Sequence, residues 1–218
     1  MTMRKIFIVL AIFILFLLPI TLFLYIYEYR SVQEQLFSTY HLSQDELNKI
    51  NSGDIILRKG YGLVSATISE TYNTNLDVSH CAFIIKKDNK FSVVHSVSQS
   101  LSNFDGVQTQ DLETFIKDSR KGSIIIVRYK PRPLDDISKI EKRVNYYLEK
   151  KVPFDHDFNL NDSSKIYCSE LPWLIFHDSY NIDIFQSRDG KIKYFYKTFD
   201  AFVDSSNFKV IINHRLKY

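Results

Sequence analysis

The chain has 218 residues, of which 45% are hydrophobic and 24% charged, and carries a formal net charge of +3. This length and balance suit one globular domain with an appendage, and they exclude a disordered or low-complexity scaffold. Its two cysteines are too few for a disulfide framework, so each must be read for its own chemistry.

Residues 6–27 (IFIVLAIFILFLLPITLFLYIY) form a run of 22 residues without one formal charge. At about 1.5 Å per helical residue the run spans roughly 33 Å, matching a hydrocarbon core of about 30 Å. A secretory signal peptide has a shorter apolar stretch that ends in small residues, whereas this one ends in Leu24-Tyr25-Ile26-Tyr27. Residues 1–30 therefore read as an uncleaved membrane anchor, with Pro19 tolerated inside a membrane helix. Arg4 and Lys5 precede the run, while Glu28 and Arg30 cancel beyond it. The positive-inside rule then leaves the N-terminus in the cytoplasm and sends residues 31–218 across, with the lipid bilayer as a partner. Setting aside Arg4, Lys5, Glu28 and Arg30 leaves 25 basic and 24 acidic side chains, so no nucleic-acid-binding face is implied.

Beyond the anchor, residues 31–52 read as a linker and leading helices: a short helix over Ser31–Tyr40, then a capping box, Ser43-Gln44-Asp45-Glu46, opening a helix to about Asn51. Residues 53–218 read as the main globular domain. Ile55-Ile56-Leu57 is a short buried strand, and Val64, Ile68 and Tyr72, four apart, suggest a helix over residues 61–72. Two strand-like runs, Cys81–Lys86 and Phe91–Val97, flank a polar turn at residues 87–90 and predict a hairpin. A helix over 111–118, a strand over 123–129, an amphipathic helix over 134–150, a helix from near Cys168 to about Asp178, a helix over 198–204 and a strand over 208–212 complete the reading. Strands cluster centrally with helices on both sides. The expected class is α+β with a small, mainly antiparallel sheet.

Cys168 marks the change from a polar stretch to the apolar run Leu171–Phe176. A cysteine in the first turn of a helix meets unpaired backbone N–H groups and the positive end of the dipole, which favour the thiolate. A cysteine nucleophile needs a histidine to take its proton and a polar group to orient the imidazole. His80 opens the first strand of the hairpin and His95 closes the second, so the two rings can meet on one face. Cys81 alternates away from His80 and reads as a core residue. His41, His80, His95, His156, His177 and His214 show neither HExxH nor paired C-x-x-C spacing, so no metal and no cofactor are expected. His156 reads as solvated, and His177 as a residue near a helix C-terminus.

Gly53-Asp54-Ile55-Ile56, Ser79-His80-Cys81-Ala82-Phe83-Ile84, Val94-His95-Ser96, Pro153-Phe154-Asp155 and Tyr167-Cys168-Ser169-Glu170-Leu171 follow one another in this order. Together they resemble the circularly permuted branch of the NlpC-type papain-like cysteine hydrolases, the YiiX/YaeF-like proteins, which are related to the lecithin:retinol acyltransferase group. The resemblance covers about residues 50–180 and implies a permuted papain-like fold. It implies Cys168 as nucleophile, His80 as general base and His95 as the orienting third member. The third position is often glutamate in such proteins, and histidine also occurs. Tyr167 fits the motif before the nucleophile. Phe154 departs from it, because relatives commonly carry a tyrosine there that could help hold an oxyanion. Tyr167 or Tyr61 could supply a donor instead, while Asp155 reads mainly as a turn residue.

The function these residues imply is a membrane-anchored thiol hydrolase or acyltransferase that cleaves an amide or ester through an acyl-enzyme. Permuted relatives are associated with apolar acyl groups, so a lipid or acylated substrate is expected first. The alternatives are cleavage of cell-wall peptides, as in unpermuted relatives, and a catalytically silent lipid- or peptide-binding module.

Overall fold

The computed structural model describes residues 3–71, 76–102, 104–130, 137–159, 162, 164–185 and 199–216. Its first element is a single helix, α1 (Met3–Leu36), which contains Pro19 and continues past the apolar run without a break. The helix expected over Ser31–Tyr40 is the end of α1, because nothing in Ser31–Leu36 stops a helix already under way. The capping box is present: the Ser43 side chain accepts from Glu46 N–H, and the Glu46 carboxylate accepts from Ser43 N–H. The helix it opens, α2 (Gln44–Leu47), is only 4 residues long, ending at the Asn48 cap rather than near Asn51.

Six antiparallel strands form one sheet: β1 (Ile55–Arg58), β2 (His80–Lys87), β3 (Lys90–Val97), β4 (Gly106–Asp111), β5 (Ile125–Tyr129) and β6 (Phe208–Asn213). Their spatial order is β4-β3-β2-β1-β5-β6. The turn between β2 and β3 puts Asp88 and Asn89 at φ 49° and 61°, a conformation that Asn and Asp tolerate. Asp54 is 1% exposed and takes Arg128 of β5 in a two-pronged ion pair, at 2.6 Å from Nε and 2.7 Å from one terminal nitrogen. That pair fixes the entry to β1 against β5, which gives the Gly-Asp motif a structural role.

Each face of the sheet is covered. Cys81, Phe83, Val94, Ile125 and Val127 pack on one side with α5 (Ile137–Lys150), α6 (Glu170–Tyr180) and a 3₁₀ turn at Phe199–Val203. Ala82, Ile84, Val93 and Ile126 pack on the other with Tyr40, Leu42 and α4 (Leu112–Lys117). Asp111 caps α4 by accepting from Thr114 N–H. The expected Tyr72, the start of the 134–150 helix and residue 198 lie outside the described residues.

The remaining helix, α3 (Gly62–Thr71), faces opposite to the expectation. Its buried residues are Gly62, Ser65 and Ser69, while Val64 is 44% exposed. Ser65 lies 2.5 Å from Ser79, a hydroxyl pair inside the protein. Val64 turns toward a cleft, and Ile68, half-buried, lines that cleft while packing against the edge of the core. The first turn of α3 is capped from α1: Ser31 Oγ accepts from Gly62 N–H at 2.6 Å and Glu28 from Leu63 N–H at 2.9 Å. Gly62 has φ +84°, a left-handed conformation that favours glycine, and it lies directly under the Glu28 carboxylate. Glu28 is thus committed to the domain in addition to offsetting Arg30 in charge count.

Candidate active site

His80 begins β2 and His95 lies near the end of β3, so the hairpin brings both rings to one end of the sheet. With Phe83 opposite Val94, the register makes the two histidines diagonal neighbours, a spacing that aromatic side chains bridge. His80 Nε2 and His95 Nδ1 are 2.8 Å apart, and the rings meet edge-on. Both rest against Phe115 of α4, with ring centres 5.9 Å and 5.6 Å away. His95 is 4% exposed, and its Nε2 is buried without a hydrogen-bond partner among the described residues. Burial holds the His95 imidazole down to about 3 and, with the charges of His95 and Arg58, holds His80 well below its ordinary range. Both rings are therefore neutral near pH 7.

Cys168 lies just before α6, where Ser169 is the N-cap without a side-chain cap bond, and the N–H groups of Glu170 and Leu171 turn back onto Tyr167 O at 3.1 Å and 3.3 Å. Two side chains of the hairpin hold this turn. Cys81 Sγ donates to Cys168 O at 3.2 Å, and Ser96 Oγ donates to Ile166 O at 2.5 Å. The nearby Cys81 thiol, with the backbone N–H groups of Cys81, Ser169 and Cys168, lowers the Cys168 thiol below its usual value against the opposing effect of burial. Burial pushes the Cys81 thiol well up, so Cys81 stays protonated and remains a donor. Both cysteines are free. Cys81 is the core residue expected from its strand position, and it also touches the segment that carries Cys168.

Cys168, His80 and His95 open on one cleft of ≈ 740 Å³. Val64, Ile68, Leu101, Phe104, Phe154 and Phe158 supply its apolar wall; Leu101, Phe104 and Phe158 are 52%, 71% and 47% exposed. Ser98, Ser102, Gln108 and Gln110 supply a polar wall. Gln35, near the end of α1, also lines the cleft and donates to Asp118 at 3.0 Å.

The expected supporting residues divide. Tyr61 lines the cleft. Tyr167 is buried with its ring 5.3 Å from that of Phe158. Asp155 is 1% exposed, and its carboxylate accepts from Asp157 N–H at 2.9 Å and Asn159 N–H at 2.6 Å. Its carboxylate is thus used in shaping the loop at residues 155–159. Phe154 lines the cleft, where its ring carries no hydroxyl for an oxyanion.

Sequence reasoning missed Arg58. It pairs across the ladder with His80, its guanidinium lies 4.2 Å over the Phe115 ring, and it lines the same cleft. One terminal nitrogen donates to Phe115 O at 3.3 Å and to Asp118 O at 2.7 Å. Burial brings this guanidinium down to about 10, against the raising effects of Asp118 and Cys168. No pattern in the sequence marks Arg58, because its place depends on which strands pair. A second depression, ≈ 860 Å³, lies by Tyr40, Glu46 and His214. There the buried His214 bridges Glu46 Oε1 at 2.9 Å and Tyr40 OH at 2.5 Å, fastening the linker to the C-terminal end of the sheet.

A family model described as a permuted papain-like amidase enzyme, YaeF/YiiX, C92 family, matches residues 49–203. Among solved structures, the metalloprotein YiiX from Escherichia coli O157:H7 is similar with a TM-score of 0.61 at 17% identity, over 76% of this chain and 98% of that chain. No curated protein matches. The bacterial neighbour is described as a metalloprotein, but among the described residues here no group of three or more His, Cys, Asp or Glu is arranged to hold a metal ion. The imidazole pair, the cysteine before α6 and strands β1 to β5 all lie within the matched residues. The chain belongs to the permuted papain-like amidase family of YaeF and YiiX.

Proposed function

We propose that this protein is a membrane-anchored cysteine amidase in which Cys168 is the nucleophile, His80 the general base and His95 the group that orients it. The observation carrying this reading is the 2.8 Å bond between His80 Nε2 and His95 Nδ1 in the cleft that also holds Cys168. With Nε2–H donated to His95, His80 presents the Nδ1 lone pair as its free basic site. The Cys168 proton passes to that nitrogen as sulfur attacks the carbonyl carbon, and the π electrons move onto the carbonyl oxygen. Collapse breaks the C–N bond, and the imidazolium returns the proton to the leaving amine. Water then attacks the thioester with His80 again as base, releasing the acid and restoring the thiol. Transfer of the acyl group to another acceptor uses the same steps, and an ester substrate differs only in its leaving oxygen. The backbone N–H groups of Cys168 and Ser169, which lie beside the sulfur, supply donors for the oxyanion.

A lipid or acylated substrate is favoured by the apolar wall of the cleft and by its nearness to the anchor. Ile12–Leu36 includes a stretch long and apolar enough to cross a membrane, with mean hydropathy 2.0. Gln35 in the cleft follows Tyr27, the last residue of the apolar run, by eight residues of continuous helix. At about 1.5 Å per residue this is roughly 12 Å along the helix, so the cleft stays beside the headgroups instead of swinging on a loose tether. Arg4 and Lys5 orient the anchor with the cleft outside the cytoplasm.

The polar wall formed by Ser98, Ser102, Gln108 and Gln110 favours a second reading, a cell-wall peptide as substrate. Incubating the full chain separately with a lipid extract and a cell-wall digest, followed by intact-mass measurement, distinguishes the two. A mass increment from the lipid arm that Cys168→Ala abolishes supports the first reading, and an increment from the digest alone supports the second. Cleavage of the substrate by Cys168→Ala at the parent rate refutes both.

A further inference from the structure

Arg58 is a cation brought inside the protein, and a buried cation is costly unless its surroundings answer it. The groups that face it come from every element around it: His80 across the ladder from β2, His95 from β3, Asp118 after α4, and Cys168 before α6. Asp118 makes no ion pair with it within 4 Å; its carboxylate accepts instead from Gln35 at 3.0 Å and Gln110 at 2.8 Å. Arg58 Nε is buried with no hydrogen-bond partner among the described residues, while one terminal nitrogen is tied to main-chain oxygens of Phe115 and Asp118. The guanidinium is thereby fixed beside the imidazole pair, stacked on the same Phe115 ring, with no freedom to follow a leaving charge.

We propose that Arg58 is a positioning residue of the reaction, a fixed positive charge that favours the negative sulfur of Cys168 and disfavours a resting imidazolium on His80. Resting on the reading that Cys168 and His80 perform the chemistry, this assigns the proton a definite itinerary. It stays on sulfur until attack begins, passes to His80 Nδ1 as the S–C bond forms, and leaves with the amine as the C–N bond breaks. No other proton donor or acceptor is required. The same charge makes the transient imidazolium a stronger acid, which suits protonation of an amine leaving group. It also acts on both partners in one direction, because a cation favours the deprotonated form of a thiol and of an imidazolium alike. Arg58 therefore moves the whole working pH range of the pair downward. The shifts support this: Arg58 depresses both histidines, and the Cys168 thiolate raises Arg58 in return.

The test uses the full chain in detergent and needs no substrate. Iodoacetamide alkylation of Cys168 is followed by mass spectrometry from pH 4 to 10, beside thermal unfolding. Arg58→Met keeps the length and loses the charge. Its alkylation profile is expected to move up by about one pH unit, so that at a fixed pH on the rising limb alkylation is about tenfold slower. Arg58→Lys should stay close to the parent profile. Because Arg58→Met also loses the ties to Phe115 O and Asp118 O and can fail to fold, Asp118→Asn provides an independent arm. It leaves Arg58 in place and removes the acid facing it, and its profile should move down. Arg58→Met superimposing on the parent, or Asp118→Asn moving up, overturns the proposal. A Cys168→Ala protein with normal amidase activity would instead overturn the underlying assignment of the nucleophile, so the two failures are distinguishable.

Discussion

His95→Ala isolates the bond between the two imidazoles. Truncation removes the atom 2.8 Å from His80 Nε2 and opens a space beside Phe115 in a site where His95 is only 4% exposed. In the resting protein the lost bond joins neutral groups, but during catalysis His80 carries a proton and the bond becomes charge-assisted. Such a bond contributes about 1.5–3 kcal/mol, which at about 1.4 kcal/mol per factor of ten is a loss of about 10–150-fold in kcat/KM. The emptied site also lowers stability by about 2–4 kcal/mol. The assay is kcat/KM on a long-chain acyl p-nitroanilide, measured per folded molecule well below the unfolding midpoint. His95→Asn, whose amide oxygen accepts the same N–H without a charge, should recover most of the loss. His95→Ala within about twofold of the parent, or His95→Asn no better than His95→Ala, refutes the orienting role.

The two thiols should separate under iodoacetamide: Cys168 titrates below the ordinary thiol range near pH 8.5, and Cys81 stays unlabelled until the protein unfolds. Equal rates in the folded chain contradict this. Gly106→Ala should destabilise the domain by about 1–3 kcal/mol, because Gly106 has φ +91° and an added Cβ would meet Val152 O and lie 2.7 Å from Pro153 Cα. Thermal unfolding should fall by about 3–10 °C, and an unchanged midpoint shows the contact to be tolerated. Protease added to spheroplasts should remove the domain and leave the anchor with the membrane. A protected domain would reverse the proposed orientation.

The parts of the fold legible in the sequence are those written in local chemistry. The Ser43–Glu46 capping box, the hairpin turn at Asp88-Asn89, the β5 run and the apolar start of α6 each declare themselves within a few residues. Strand β4 does not, because Gly106-Val107-Gln108-Thr109-Gln110-Asp111 has little apolar alternation and owes its conformation to pairing with β3 at the sheet edge. In α3 the period was visible but its direction was not: the helix buries serines against Ser79, leaves Val64 to the cleft and sets Ile68 between cleft and core. The His80–His95 contact was legible because a hairpin is local. Arg58 was not, since its meaning comes from a long-range pairing that sets it across from His80.

The central claim, that acyl transfer passes through Cys168, is tested most directly by intact-mass analysis of the full chain quenched in acid during turnover of the long-chain acyl p-nitroanilide. The account predicts one acyl increment on the parent chain, localised to Cys168 by peptide mapping, strongly reduced in His80→Ala because acylation needs the same base, and missing from Cys168→Ala. An increment that persists in Cys168→Ala, or that maps to Cys81, would contradict it.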